Sequence, residues 1–143
     1  MKIFRYPATV KVDRAGFHLV TFPDVPEAGT DAETREEALR EAIDALIAAL
    51  GGYVTDRRPI PQPSRAKPGQ VLIILPTLVA AKLALYEAMR EAGISNVELG
   101  RQLGISEGAV RRLLDLDHRS HISQVEAGLQ SLGQCLVVTV QAA

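Results

Sequence analysis

Two adjacent arginines, Arg111 and Arg112, close the run Asn96-Val-Glu-Leu-Gly-Arg-Gln-Leu-Gly-Ile-Ser-Glu-Gly-Ala-Val-Arg-Arg-Leu-Leu114. Guanidinium groups donate paired N–H bonds, and the acceptors that fit them are guanine edges and phosphates. The spacing around the pair is that of a helix-turn-helix. Gly100 is small where two helices must cross closely. Gly104 supplies the positive φ that ends the first helix and turns the chain. Leu99, Leu103 and Ile105 are expected to pack between the helices, and Val110 and Leu113, three apart, seat the second on the first. Ser95 and Ser106 can cap the two starts. A recognition helix reads bases with side chains near its N-terminal end. The candidate DNA-contacting residues are therefore Ser106, Glu107, Gly108, Arg111 and Arg112. The alternative is a plain αα corner with solvated arginines. Asp115 and Asp117 follow closely and would oppose phosphate.

Other polar residues carry less. His118, Arg119 and His121 either touch phosphate or form a loop that caps the next helix. His18 lies mid-strand. Asp13, Asp24 and Asp31, the first-half candidates for paired carboxylates, all occupy turn-like positions where Asp is common. No His–carboxylate set has ligand spacing, so no metal site is expected. No glycine-rich phosphate loop follows a strand, and no cofactor is expected. Cys135, the single cysteine, excludes an internal disulfide and reads as a small core residue.

Composition sets outer limits. The 143 residues include 16 Lys+Arg and 17 Asp+Glu, a net charge of -1, with 47% hydrophobic residues. That excludes a largely disordered chain. At first sight it also argues against nucleic acid, whose binders usually carry a basic excess. No apolar run approaches the ~18 residues of a membrane helix, and Arg5, Lys11 and Asp13 interrupt any leader pattern. Cytoplasm is the default location.

The elements that must position these residues fall into two parts: a domain over 1–76, whose segment 55–69 is a proline-rich connection, and a helical domain over 77–143. Tyr6, Ala8, Val10 and Val12 alternate with Pro7, Thr9 and Lys11, which is strand periodicity. Pro7 argues that this strand runs at an edge, at least there. Asp13 to Gly16 is a turn, and Phe17 to Phe22 a returning strand, apolar at nearly every position, as in a strand buried on both faces or mid-sheet. Glu27 to Asp31 is a short third strand. Thr34 and Glu37 have capping-box spacing ahead of a helix with the apolar stripe Leu39, Ile43, Leu46 and Leu50, ended by Gly51-Gly52. Val71 to Leu75 fits a buried strand. The first part is thus βββαβ. The second has helices from Leu78 to about Ala92, Asn96 to Leu103, Ser106 to Leu114 and around Ile122 to Leu132, then a terminal strand from Cys135 to Val140. The fold class is α+β.

These residues together resemble a HicB-type antitoxin of a bacterial toxin–antitoxin pair. The matching stretches are Tyr6-Pro-Ala, the turn from Asp13 to Phe17, Phe22-Pro-Asp-Val-Pro-Glu-Ala-Gly-Thr30, Thr34-Arg-Glu-Glu-Ala38 and Ile60-Pro-Gln-Pro-Ser64. The second part is similar to the helix-turn-helix subgroup through Glu98-Leu-Gly-Arg-Gln-Leu-Gly104 and Leu132-Gly133. Asp31-Ala32 depart from the Gln-Gly often found there. The resemblance implies a reduced ribonuclease H-like first domain without a complete acidic active site, hence no enzyme. That domain masks a HicA-type toxin, a small basic ribonuclease, while the second domain binds the double-stranded operator of its own operon and the chain forms a dimer or higher oligomer. Toxin-contact candidates are Phe22, Asp24, Glu27 and Asp31, acids suited to steering a basic partner. Two rival readings compete: a one-component regulator sensing a small molecule between sheet and helix, and a metal-dependent nuclease.

Overall fold

The computed structural model describes residues 1–142, an α+β arrangement of four strands and five helices. Strands β1 (Arg5–Val12), β2 (His18–Thr21), β3 (Gly29–Ala32) and β4 (Val71–Ile74) form one antiparallel sheet in the order β3-β2-β1-β4. Helix α1 (Arg35–Thr55) stands between β3 and β4 in the chain, which is the expected βββαβ order. Helices α2 (Thr77–Ala92), α3 (Asn96–Leu103), α4 (Glu107–Leu114) and α5 (Ile122–Ser131) follow. The chain divides into two compact units, Met1–Ala80 and the remainder from Ala81.

In the first unit β1 is a central strand whose two halves serve different neighbours. Arg5 to Ala8 pair with β4, and Thr9 to Val12 pair with β2. Pro7 sits opposite Leu72, before the β2 ladder begins at Thr9. The edge expected from this proline is therefore local, and the strand as a whole is interior. Helix α1 covers one face of the sheet, so alternation governs burial. Tyr6, Ala8, Val20, Ala32 and Ile73 are buried, while Leu19, Leu72 and Ile74 are exposed. Of the two readings of β2, the mid-sheet one holds, with only one face buried; β4, expected to be buried, is an edge strand.

Helix α1 starts as its cap residues require, with Glu37 N donating to Thr34 Oγ1 at 3.2 Å. It does not stop at Gly51-Gly52 but runs on to Thr55. Each glycine costs about 1 kcal/mol in a helix interior, and the gain that offsets this is Tyr53. Its ring is buried and its hydroxyl donates to Glu27 Oε2 at 2.8 Å. The buried face is Ala38, Ala42, Leu46, Leu50 and Tyr53, with Leu39 and Ile43 half-buried beside it. Burying each leucine contributes about 1.5–3 kcal/mol. The proline-rich connection is anchored by Tyr6, whose hydroxyl donates to Pro61 O at 2.8 Å, and by the buried Ile60.

In the second unit every helix from α3 to α5 begins where a cap or turn residue stands. Two expectations fail here. The terminal strand is not formed: residues 134–142 have no regular structure, and Val137, Val138 and Val140 are 69%, 65% and 93% exposed. A strand needs a hydrogen-bonding neighbour, and none is assigned to this segment among the described residues. Cys135, expected in a core, is exposed for the same reason.

Candidate functional site

The connection between α3 and α4 is built by three backbone features. Gly104 adopts φ 67° and ψ 32°, the left-handed region, and its N–H points back to the Arg101 and Gly100 carbonyls. Ile105 N then donates to Gly100 O at 2.9 Å. A Cβ on Gly100 would meet Ile105 O at 2.7 Å, so only glycine fits this approach. Ser95 Oγ accepts from Glu98 N at 3.2 Å, and Ser106 Oγ accepts from Ala109 N at 3.1 Å, satisfying N-terminal donors of both helices. Leu99, Val110 and Leu113 are buried, as their spacing requires. Ile105, expected between the helices, lies at their exposed rim.

The candidate DNA-contacting residues run along one side of α4, from its N-cap Ser106 to Arg111 and Arg112 in its last turn. Ser106 is exposed but its hydroxyl is engaged as the cap. Glu107 and Gly108 are half-buried, and Arg111 and Arg112 are exposed. Arg111 Nη2 donates to Glu107 Oε2 one turn earlier, and Asn96 Nδ2 of α3 approaches Glu107 Oε1 at 3.5 Å. Arg112 has no carboxylate partner among the described residues. Its guanidinium lies back over Gly108, with Nη1 3.9 Å from where a Cβ would stand.

A residue that sequence reasoning missed fixes the far end of α4. Lys82 of α2 is fully buried. Its ammonium donates to Arg112 O at 2.9 Å, Asp115 O at 2.6 Å, His118 O at 2.8 Å and Ser120 Oγ at 2.9 Å. Helix C-terminal carbonyls lack intrahelical donors, and here one cation supplies them while tying down the loop after α4. Burial pulls the Lys82 pKa below its ordinary value, and the nearby charges of Asp115 and Asp117 pull it back. The available signal was a lone charge in the otherwise uncharged run Leu78 to Tyr86. His118 belongs to this loop, with Nδ1 3.0 Å from Ser120 Oγ, and His121 is the N-cap residue of α5 without a side-chain cap bond.

On the first unit the structure separates the toxin-contact candidates. Phe22 is a core residue, 2% exposed. Asp24 Oδ2 accepts from Ser64 N at 2.8 Å and Ser64 Oγ at 2.9 Å, tying the proline-rich connection to the loop after β2. Glu27 accepts from Tyr53 and pairs with Arg58 at 3.6 Å, and Arg58 also stacks 4.0 Å above the Tyr53 ring. The Tyr53 hydrogen bond, with a smaller pull from Arg58, holds the Glu27 carboxyl below the usual range. Asp31 remains an exposed residue of β3, opposite Leu19. Asp13 Oδ1 accepts from Ala15 N and Phe17 N, both at 2.9 Å, and so builds its turn. The space between sheet and α1 is filled by Tyr6, Ala8, Val20, Ala42, Leu46 and Leu50, all fully buried. Among the described residues, no three His, Cys, Asp or Glu stand where they could hold a metal ion. Among the same residues, no helix is long and apolar enough to cross a membrane.

Residues 5–84 match the family model described as the HicB-like antitoxin of bacterial toxin–antitoxin systems. The chain is 41% identical over 135 residues to Antitoxin HicB 2 of Photorhabdus laumondii, covering 94% of this chain and 95% of that protein. It is 39% identical over 142 residues to Antitoxin HicB of Pseudomonas fluorescens, covering 99% and 97%. Against Antitoxin HicB of Escherichia coli K12 the identity is 36% over 130 residues, covering 91% and 94%. This chain belongs to the HicB antitoxin family. The HicB family model spans the sheet, α1 and the start of α2, whereas α3 to α5 are matched through the near-full-length HicB relatives.

Proposed function

We propose that this HicB-family chain neutralises a HicA-type toxin through its first unit and represses its own operon by binding operator DNA through α3 and α4. The antitoxin half rests on family membership over nearly the whole length. The DNA half rests on the close α3–α4 approach at Gly100, the left-handed turn at Gly104, and the Ser106-capped α4 that carries exposed Arg111 and Arg112. We read this pair of helices as a helix-turn-helix. The first unit we read as a reduced ribonuclease H-like fold with a binding role, in the cytoplasm. The engagement of Asp13 with backbone N–H groups and of Asp24 with Ser64 supports a structural rather than catalytic use of these acids.

Repression needs two recognition helices about 34 Å apart on one side of the duplex. A second copy supplies the other. The apolar, β-prone tail from Cys135 to Val140 is the segment we assign to that assembly: paired with its twin, it would remove exposed edge groups and cover three exposed valines.

The test is co-expression with the product of the neighbouring small basic reading frame, together with gel-shift titration on the upstream DNA. A stable complex that abolishes toxicity, and a shifted upstream fragment, are the expected results. Metal-dependent RNA cleavage by the purified chain alone would overturn the reading in favour of a nuclease.

A further inference from the structure

Arg111 and Arg112 are neighbours of one type, yet their surroundings differ. Arg111 is tethered by Glu107, a carboxylate held at the start of α4 and approached by Asn96 from α3. The Arg111 side chain is 72% exposed, so the tether grips one corner of the guanidinium and leaves the rest in solvent. A guanidinium has five N–H donors in a fixed fork. One bond to Glu107 leaves four, including the Nη1 and Nη2 pair that a bidentate contact uses. Holding a long side chain in one orientation removes rotamer freedom before binding rather than during it. Arg112 has no such tether and lies along the helix over Gly108. Its freedom suits a contact that demands charge and not direction.

We propose that Glu107 and Arg111 act as one unit that reads a guanine, Glu107 aiming Arg111 at the O6 and N7 acceptors of the major-groove edge, while Arg112 binds backbone phosphate. This rests on the α3–α4 reading of the previous subsection and adds which base is read and by which side chain. The Glu107 carboxylate has two opposed effects. It repels phosphate, which weakens binding to any duplex, and it orders Arg111, which sharpens choice among duplexes. A residue that merely supported the helix would move both in the same direction.

The experiment selects bound sequences from a pool of randomised duplexes with the full-length protein and its variants, and measures affinity for an unselected duplex across salt concentrations. The wild-type motif should contain a guanine whose preference over the other bases is about 10- to 100-fold. Arg111→Ala and Arg111→Lys should lose that preference at this one position. Glu107→Ala should reduce it while binding the unselected duplex more tightly than wild type. Arg112→Ala should keep the guanine, bind all duplexes more weakly, and lower the salt slope by about 1. Circular dichroism and the affinity for unselected duplex identify any variant that fails to fold, and Glu107→Gln and Arg111→Lys then stand in for the alanines. An Arg111 variant with an unchanged motif, or a Glu107→Ala that keeps full guanine preference, overturns the inference. A wild-type protein that enriches no motif overturns the DNA-binding reading itself.

Discussion

Replacing Lys82 by methionine isolates what one buried ammonium does for α4. Methionine keeps the apolar stem and removes the charge and all three donors. The ammonium now serves Arg112 O, Asp115 O, His118 O and Ser120 Oγ. An acceptor left buried without a donor costs about 1–3 kcal/mol. Two features soften the loss. Each carbonyl keeps another donor: Asp115 N and Ser120 Oγ for Arg112 O, His118 N for Asp115 O and Ser120 N for His118 O. Asp115 and His118 are exposed residues, which lets water reach part of the loop. The net loss is then that of bonds to a charged donor rather than of orphaned acceptors, about 1.5–3 kcal/mol. For a unit of this size 1 kcal/mol shifts the melting temperature by about 4–8 °C, so the second unit of Lys82→Met should melt about 6–24 °C lower. Lys82→Arg should lose nearly as much, because a planar fork cannot converge on acceptors gathered around a tetrahedral ammonium. Melting followed at 222 nm gives the size of the effect. Hydrogen exchange measured on peptides spanning 107–121 gives its place, since the amides after Arg111 should lose protection first. Lys82→Met melting within about 2 °C of wild type, with exchange unchanged at the end of α4, would refute the reasoning.

Gly100→Ala should destabilise the second unit by about 1–3 kcal/mol in urea unfolding, because its Cβ would meet a backbone oxygen that cannot rotate away; an unchanged midpoint would show that the helices can separate freely. Glu27, with its depressed pKa, contributes stability fully present above its ordinary value of 4.5 and lost as pH falls through the lower folded value. Urea midpoints of wild type should therefore drop more steeply as pH falls below 4.5 than those of Glu27→Gln, and parallel curves would count against the Tyr53 bond as the cause. Deleting Leu136 to Ala143 should leave the first unit folded and abolish the gel shift, so unchanged operator binding removes the tail from the assembly. Asp31→Lys should slow association with a basic toxin at low salt without altering the melting of the free chain, and unchanged association rates would remove Asp31 from the steering surface.

Most of the local structure was legible because local signals carried it. The caps at Thr34, Ser95 and Ser106 and the turn glycine at 104 each act within a few residues and stand where their patterns put them, while in β1 the strand forms but its alternation breaks down, with Pro7 buried and Val12 exposed. The misreadings all involve partners distant in sequence. Gly51-Gly52 looks like a helix end until Tyr53 is seen bonded to Glu27, 26 residues earlier. The apolar run of β4 looks buried because composition does not reveal that it lies at the sheet edge with one helix covering a single face. The DNA-contact candidates fall together on α4, since helix periodicity alone groups them. The toxin-contact candidates differ in surroundings: Phe22 is buried, Asp24 and Glu27 bond Ser64 and Tyr53, and Asp31 is exposed. Lys82 showed itself only as a lone charge in an apolar run, and its role stayed hidden because its acceptors lie 30 to 38 residues away.

The charge balance acquires a different weight once these contacts are known. Net charge of -1 predicts weak binding of one copy to DNA, with few phosphate contacts and a shallow salt dependence. The second unit reduces the available positive charge further: Lys82 is buried in its own loop and Arg111 is partly answered by Glu107. On the proposed reading, affinity must come from joining two recognition helices, since the second contact is then made at high effective concentration, and specificity from a guanidinium already aimed. The acids of the first unit follow a parallel logic. Hydrogen bonds from neutral Ser64 do not cancel the Asp24 charge, whereas Glu27 is answered by Arg58, and on the proposed reading the exposed carboxylates of Asp31, Glu33, Glu36 and Glu37 around the start of α1 add to the attraction for a basic partner. That extends the expected toxin-facing charge from the loop after β2 to the corner between β3 and α1. Steering then depends on residues whose replacement leaves the fold intact.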